Sequence, residues 1–153
     1  MRDWGQELLR GTTGRLVRIT RAFDREDSAD GERGPLELTF EGGRVLHLAA
    51  APHDDFISVR EGPWHGDAGD ADRVLVDVSD RPGYAEAVGE WCHVGSGWLV
   101  NPDGCVAGVE LHFGVATITF AIRGGGEYVA FGRASALPRE WGLQRWPDMT
   151  MEA

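Results

Sequence analysis

Residues His53, Asp54 and Asp55 are the first place in this chain where adjacent side chains offer both acid–base and ligand chemistry. A histidine beside carboxylates can act as a general base, and the same groups can bind a metal ion. The sequence contains no G-x-S-x-G turn, phosphate-binding loop or C-x-x-C pair that would supply a catalytic partner at a recognised spacing. We therefore take these three residues as candidate ligand or metal residues near a cavity, and no catalytic residue is assigned.

The segment from residue 54 to residue 80 carries strong negative charge around an aromatic side chain. It holds eight Asp or Glu residues against two Arg residues. Such a segment suits a basic protein partner, because the charges steer the encounter and a tryptophan can bury as a binding hot spot. The residues expected at that interface are Trp64, His65, Asp67, Asp70 and Asp72. The alternatives are that Trp64 packs beneath a solvated loop, or that the three aspartates hold a divalent cation.

Composition and charge limit the functions open to the chain. It has 153 residues, its 15 basic residues are all arginine, and its formal net charge is −10. This charge argues against binding to a nucleic-acid backbone, which requires a basic surface. No apolar run approaches the roughly 20 residues of a membrane span, and the N-terminus lacks the apolar core of a signal peptide. We expect a cytoplasmic protein with no nucleic-acid partner, no membrane contact and no cofactor.

The elements that must position these residues are clearest between residues 91 and 131. Gly114-Val115 fits a two-residue hairpin turn, because glycine adopts a positive φ without steric cost. Folding at this turn places only apolar side chains on one face, which fixes the register. The expected pairs are Phe113 with Ala116, Leu111 with Ile118, Val109 with Phe120 and Ala107 with Ile122.

A second turn, Asn-Pro-Asp-Gly at residues 101–104, extends the same apolar face upstream. The opposite face carries His93, Glu110 and His112, and it stays open to function. Both cysteines would lie inward but several residues apart, so we expect two buried, free thiols. The expected pairs are Val100 with Cys105, Trp98 with Ala107, Val94 with Leu111 and Cys92 with Phe113.

The whole pattern predicts a mostly β protein, with a mixed α+β fold as the alternative. Strands separated by turns favour an antiparallel meander, a sandwich or a bent sheet of about 7–9 strands. The first strand is expected to place Val17, Ile19 and Phe23 on one face, with Arg21 breaking the alternation. A short helix is expected at residues 3–11. No repeat or linker divides the chain, so we expect a single domain over residues 1–153.

Strand and turn motifs in the C-terminal half resemble a group of small bacterial β-rich proteins of unknown function, many of them immunity-protein-like. The motifs are GWLVN at residues 97–101, Gly104, and VELHF at residues 109–113. Residues 38–43 (LTFEGG) with 45–48 (VLHL) are similar, so the resemblance covers about half of the chain. It carries no catalytic residue, and it implies an intracellular protein that neutralises a toxin by binding to it.

These observations lead us to expect a non-enzymatic intracellular binding protein, immunity-like, whose acidic surface neutralises a basic toxin. One alternative is an oligomerising structural or accessory domain, and a homodimer is compatible with the sequence. The other alternative is a small-ligand binder or enzyme with a cavity near His53. A toxin-like neighbouring gene would favour the first interpretation, and a metabolic operon would count against it.

Overall fold

Strands dominate the protein. The computed structural model describes residues 14–24, 34–50, 56–64, 73–93, 98–114, 116–123, 126–132 and 137–145. These ranges contain eleven strands and one 3-10 helix, Arg139–Trp141. The strands are β1 (Gly14–Asp24), β2 (Leu36–Phe40), β3 (Val45–Ala50), β4 (Ile57–Glu61), β5 (Arg73–Asp77), β6 (Trp91–His93), β7 (Trp98–Val100), β8 (Val106–Phe113), β9 (Ala116–Arg123), β10 (Gly126–Phe131) and β11 (Gln144–Arg145).

The strands pair antiparallel in one open sheet, which confirms the mostly β prediction. The main path runs β10-β9-β8-β6-β1-β2-β3-β4, while β5 pairs with β1, β7 pairs with β8 and β11 pairs with β7. The strand number exceeds the expectation of about 7–9, because strands of two or three residues are too short to show a readable alternation. The helix expected at residues 3–11 lies outside the described residues. No helix among the described residues is long and apolar enough to cross a membrane.

Strand β1 joins the two halves of the sheet. One of its edges pairs with β2, while the other pairs first with β6, at Gly14 and Arg15, and then with β5, from Thr20 to Asp24. The N-terminal half (β1 to β5) and the C-terminal half (β6 to β10) contribute to one apolar core. The sheet is therefore bent so that its two halves face each other across that core.

The strand register expected between residues 91 and 131 is confirmed at the turn at Gly114 and is wrong at the turn at residues 101–104. Strands β8 and β9 pair as expected, Gly114 takes a φ of 61° in their turn, and Cys92 lies opposite Phe113. The partners expected for β7 are wrong, because a register shift between Leu99 and Val100 places Trp98 opposite Val109. A bulge of this kind requires no characteristic residue type, so it cannot be recognised in the sequence. Alternation therefore predicted the face of Trp98 correctly but not its partner.

The two cysteines differ in environment. Both are free, but Cys92 is buried and Cys105 is exposed. The expected burial of Cys105 is wrong because this residue completes a turn, where its backbone N–H donates to Asn101 Oδ1 at 3.0 Å. Burial raises the pKa of the Cys92 thiol to about 12. That thiol therefore stays protonated and serves as a small core residue.

Candidate functional site

Trp64 is the one described residue among those predicted from sequence to bind a ligand or a partner. The roles of the others stay predictions, because these residues lie outside the described ranges. They are His53, Asp54, Asp55, His65, Asp67, Asp70 and Asp72.

Trp64 is half-buried, and its main chain is attached to the sheet. Its backbone N–H donates to Glu37 Oε2 at 3.0 Å. The other carboxylate oxygen, Glu37 Oε1, accepts from the Thr20 hydroxyl at 3.0 Å. Glu37 is only 6% exposed, so these donors offset the cost of burying its carboxylate. The acidic segment is thus held against β2 at Trp64, whose side chain is still partly accessible.

Polar side chains form a row across the outer face of the N-terminal half. Residues paired across antiparallel strands lie about 4.5–5.5 Å apart at Cα, so the members of the row are neighbours. His47 donates from Nδ1 to the carbonyl oxygen of Gly62 at 2.8 Å, beside the chain that leads to Trp64. Charges of both signs are exposed on this face, at Asp77 and Arg60. From β5 to β4 the row is Asp77, Thr20, Glu37, His47 and Arg60.

Exposed carboxylates line the edge of β1 that pairs with β5 and β6. The chain follows this edge closely, since Val78 N–H donates to Ile19 O at 3.0 Å and Leu16 N–H donates to Glu90 O at 2.9 Å. Arg81, the basic residue of this stretch, is half-buried with its guanidinium 5.7 Å from the centre of the Phe23 ring. We call this surface the acidic edge and define it as Asp77, Asp80, Glu86 and Glu90, all exposed.

Asp77 keeps its negative charge under ordinary conditions. The hydroxyl and the backbone N–H of Ser79 both hydrogen-bond to the Asp77 carboxylate and lower its pKa below the usual 3.8, with Arg18 a smaller contributor. The backbone N–H of Ser79 lies 2.9 Å from Asp77 Oδ1. These bonds favour the ionised form because they are donated to the charged oxygens.

Trp91 directly follows the acidic edge and is 51% exposed. It lies opposite Arg15 of β1, and alternation places it on the outer face because Cys92 points into the core. Val17 on β1 is 44% exposed, since the register shift between Leu16 and Arg18 turns it outward. The expectation that Val17 shares a face with Ile19 and Phe23 is therefore wrong, because those two residues are buried. Exposed apolar side chains beside charges are typical of interaction surfaces.

Sequence reasoning assigned no role to Trp91, although a signal was present. The register that places Cys92 opposite Phe113 requires the preceding side chain to point the other way. The sequence did not reveal that β5 and β6 both pair with the same edge of β1. This shared edge places Trp91 of β6 in line with the carboxylates that precede it in the chain.

A small cavity lies between the turn at residues 101–104 and the C-terminal segment 137–145. Its volume is about 210 Å³, and Trp141 forms part of its wall. The indole ring is 5.2 Å from the Arg123 guanidinium and 5.1 Å from the Tyr128 ring. The cavity is smaller than the roughly 300–1,000 Å³ of most small-molecule sites. The cavity expected near His53 concerns residues outside the described ranges.

No family model, no curated protein and no solved structure matches this chain.

Proposed function

We propose that this protein is a non-enzymatic binding protein that captures a basic protein, as an immunity-like protein captures a toxin. The observation that carries the proposal is the position of Trp91, half exposed at the end of the acidic edge. An exposed tryptophan offers a large apolar surface for burial by a partner, and surrounding carboxylates speed the encounter with a basic surface.

The acidic segment predicted from the sequence continues into this surface along the chain. Residues 65–72 lead directly into β5, and β5 ends at Asp77, the first residue of the acidic edge. Trp64, His65, Asp67, Asp70 and Asp72 are therefore proposed as a second set of contacts, in addition to those that Trp91 makes. The half-buried state of Trp64 makes it the smaller of the two aromatic contributors, because less of its surface remains to be buried by a partner.

The test uses the protein encoded by the neighbouring gene as the probe. The two proteins are mixed, and the dissociation constant is measured by calorimetry at low and at physiological salt. We expect Trp91→Ala to weaken binding roughly 30-fold or more, as removal of a hot-spot aromatic does. Reversing Glu86 and Glu90 to Arg should slow association and reduce its dependence on salt, because those charges act on the encounter.

A matched control is Leu75→Ala, which removes another exposed apolar side chain, 46% accessible, from neighbouring strand β5. The affinity of the Leu75→Ala variant for the probe protein should stay within a factor of about three of the parent value, as for most surface substitutions. Reversal of Asp67, Asp70 and Asp72 tests the second set of contacts separately. A neighbour that does not bind, or binding that survives both Trp91→Ala and the charge reversals, would overturn the proposal.

The oligomer alternative gives a different result in the same samples. If the surface around Trp91 binds a different protein, size exclusion coupled to light scattering should report a monomer for the protein alone. A stable dimer that Trp91→Ala dissociates would assign this surface to self-association and contradict capture of a basic protein.

A further inference from the structure

The cavity beside Trp141 combines an apolar lining with a charged mouth. Its apolar lining comes from the turn at residues 101–104, the end of β9 and the C-terminal segment, namely Pro102, Ile122, Trp141 and Leu143. Its charged lining is exposed and lies at the mouth, namely Asp103, Arg123 and Glu140. Such a site suits a side chain with an apolar stem and a charged end, because the stem is buried while the charge stays at the surface.

The wall that Trp141 forms is held in place by its own contacts. The Trp141 ring packs against the Tyr128 ring, with 5.1 Å between their centres. The next residue, Gly142, takes a φ of 67° and approaches the turn so closely that an added Cβ atom would lie 2.7 Å from Pro102 Cγ. Strand β11 then pairs with β7. The tryptophan ring is therefore fixed from both sides, and little ordering is needed when a guest enters.

The charge of the lining favours a cationic guest. One guanidinium against two carboxylates gives the lining a formal charge of −1. The Arg123 guanidinium lies 5.2 Å from the centre of the Trp141 ring, within the range of a cation–π contact, so this wall already accepts a guanidinium group. An incoming arginine can also form a bidentate hydrogen-bonded pair with a carboxylate, which the compact ammonium of lysine does not form.

The size of the cavity matches a single side chain. Its volume of about 210 Å³ is roughly seven times the 30 Å³ that a water molecule occupies in the liquid. An arginine side chain has a similar number of non-hydrogen atoms. Most sites for free small molecules are larger, at about 300 Å³ or more. The volume therefore favours one side chain of a protein partner over a free ligand.

The cavity lies on the same outer face as Trp91. Trp91 is on this face because the next residue, Cys92, points into the core. Ala121 of β9 is on it because its neighbour Phe120 points into the core, and Ala121 belongs to the cluster against which Trp141 packs. Both aromatic side chains are thus open to a partner that approaches from one side.

One partner can cover both places. Strand β8 pairs with Ala121 at Gly108 and with Cys92 at Phe113, which is about 17 Å further along β8 at roughly 3.4 Å per residue. A typical protein interface buries about 800 Å² on each partner, or about 30 Å across if it is circular.

We propose that this cavity binds an arginine side chain of the basic protein partner, an inference that rests on the proposed function for the choice of partner. The aliphatic stem of the arginine packs against Trp141 and Leu143, and its guanidinium pairs with Asp103 and Glu140 at the mouth. Arginine is enriched among the residues that contribute most to binding at interfaces, where it fills a pocket on the partner.

The test uses N-acetyl-arginine amide as the probe, so that it does not depend on the partner. The whole chain is titrated, and the indole N–H signal of Trp141, assigned with Trp141→Phe, is followed by NMR. We expect a saturable shift of this signal. N-acetyl-citrulline amide has the same shape without the charge, and it should bind at least about 10-fold more weakly.

Exposed substitutions at the mouth give effects of opposite sign. Asp103→Asn and Glu140→Gln should each weaken binding of the arginine probe about 3- to 10-fold, because each removes a partner of the guanidinium. Arg123→Gln should strengthen it about 2- to 5-fold, because a like charge beside the Trp141 ring is removed. The matched control is Glu41→Gln, which makes the same charge change at an exposed residue of the N-terminal half and should leave binding unchanged.

The outcomes for the arginine site and for the proposed function are separable. Absence of a Trp141 shift, equal binding of the citrulline probe, or loss of binding in Arg123→Gln would overturn the arginine site. Any of these results, together with Trp91-dependent capture of the neighbouring gene product, leaves the proposed function intact. Conversely, arginine binding with the expected variant effects supports the site even if that gene product does not bind.

Discussion

A charged residue of β1, Arg21, is buried inside this protein, and the alternation of that strand alone did not predict its burial. Arg21, treated from the sequence as a break in the alternation, lies opposite Leu36 and is 2% exposed. It donates to the Tyr84 hydroxyl at 3.3 Å and to the Gly34 carbonyl oxygen at 3.0 Å. Ile19, Arg21 and Phe23 therefore alternate inward as a strand requires, and arginine fills the middle position. Sequence reasoning missed this because arginine is rarely buried and its partners come from distant segments.

The pKa of Asp77 provides a prediction at the residue scale. In the native protein it should titrate below 3.8, and in Ser79→Ala its pKa should rise, because the largest of its stabilising hydrogen bonds is lost. A folded-state pKa below the unfolded value means that the carboxylate stabilises the fold above about pH 3.8. That contribution is lost as the pH falls through the folded-state pKa. Carbon-detected NMR titration measures both values, and an Asp77 pKa that Ser79→Ala leaves unchanged would contradict the assignment.

Among the elements, turns were predictable and bulges were not. The turn at Gly114 was readable because positive φ restricts the residue type, and it correctly fixed the partners of β8 and β9. The register shifts in β1 and in the β7–β8 pair carry no such restriction, so the face of Val17 and the partner of Trp98 were predicted wrongly. An inserted residue changes the partners of a strand, and it can also turn a side chain to the other face.

The turn segment between β5 and β6 packs against β10, which gives a prediction at the element scale. A Cβ atom at Gly83 would lie 2.5 Å from the Phe131 ring, itself in edge contact with Tyr84 at 4.7 Å. Gly83→Ala should lower the free energy of unfolding by about 2–5 kcal/mol, from overpacking together with a positive φ. Urea denaturation measures the change.

Gly89→Ala is the matched control for this substitution. Gly89 has a φ of 92°, close to the 90° of Gly83, but no atom lies within 4 Å of its added Cβ. The free energy of unfolding of this variant should fall by only about 1–2 kcal/mol, the cost of a positive φ for a residue with a Cβ atom. Equal losses in the two variants would mean that the contact with Phe131 contributes nothing.

At the scale of the whole molecule, the two halves of the sheet depend on one core. Leu38 of the N-terminal half and Leu111 of the C-terminal half are both 0% exposed within the same apolar cluster. The backbone N–H of Ala50 also donates across the halves to Glu127 Oε2 at 3.1 Å. Neither half can therefore bury its apolar face without the other.

Unfolding should accordingly be a single cooperative event. Leu38→Ala and Leu111→Ala should each reduce the free energy of unfolding by about 2–5 kcal/mol, as expected for large-to-small core substitutions. Both should shift one shared transition, seen alike by tryptophan fluorescence and far-ultraviolet circular dichroism. Two separate transitions, each sensitive to only one substitution, would show that the halves are independent units and would contradict the single-domain prediction.

The candidate surfaces were partly predictable at this scale. Negative charge before β6 follows from composition, and the face shared by Glu110 and His112 follows from alternation. The alignment of Trp91 with the acidic edge depends on β1, whose partners on that edge are some 50 to 80 residues away in sequence. Pairing over that distance leaves no local pattern, so it required the structure.

The shared strand β1 also sets the order in which a growing chain can be completed. The edge of β1 that pairs with β2 can be covered as soon as β2 is synthesised. The opposite edge stays unpaired until β5 and β6 are synthesised, and these strands end at Asp77 and His93. At about 5–20 residues per second, a ribosome needs roughly 3 to 14 s to travel from Asp24 to His93. During that interval the nascent protein presents an unpaired strand edge. Newly made chains are then open to mispairing with one another, and charged Arg15 and Arg18 on that strand oppose such contacts.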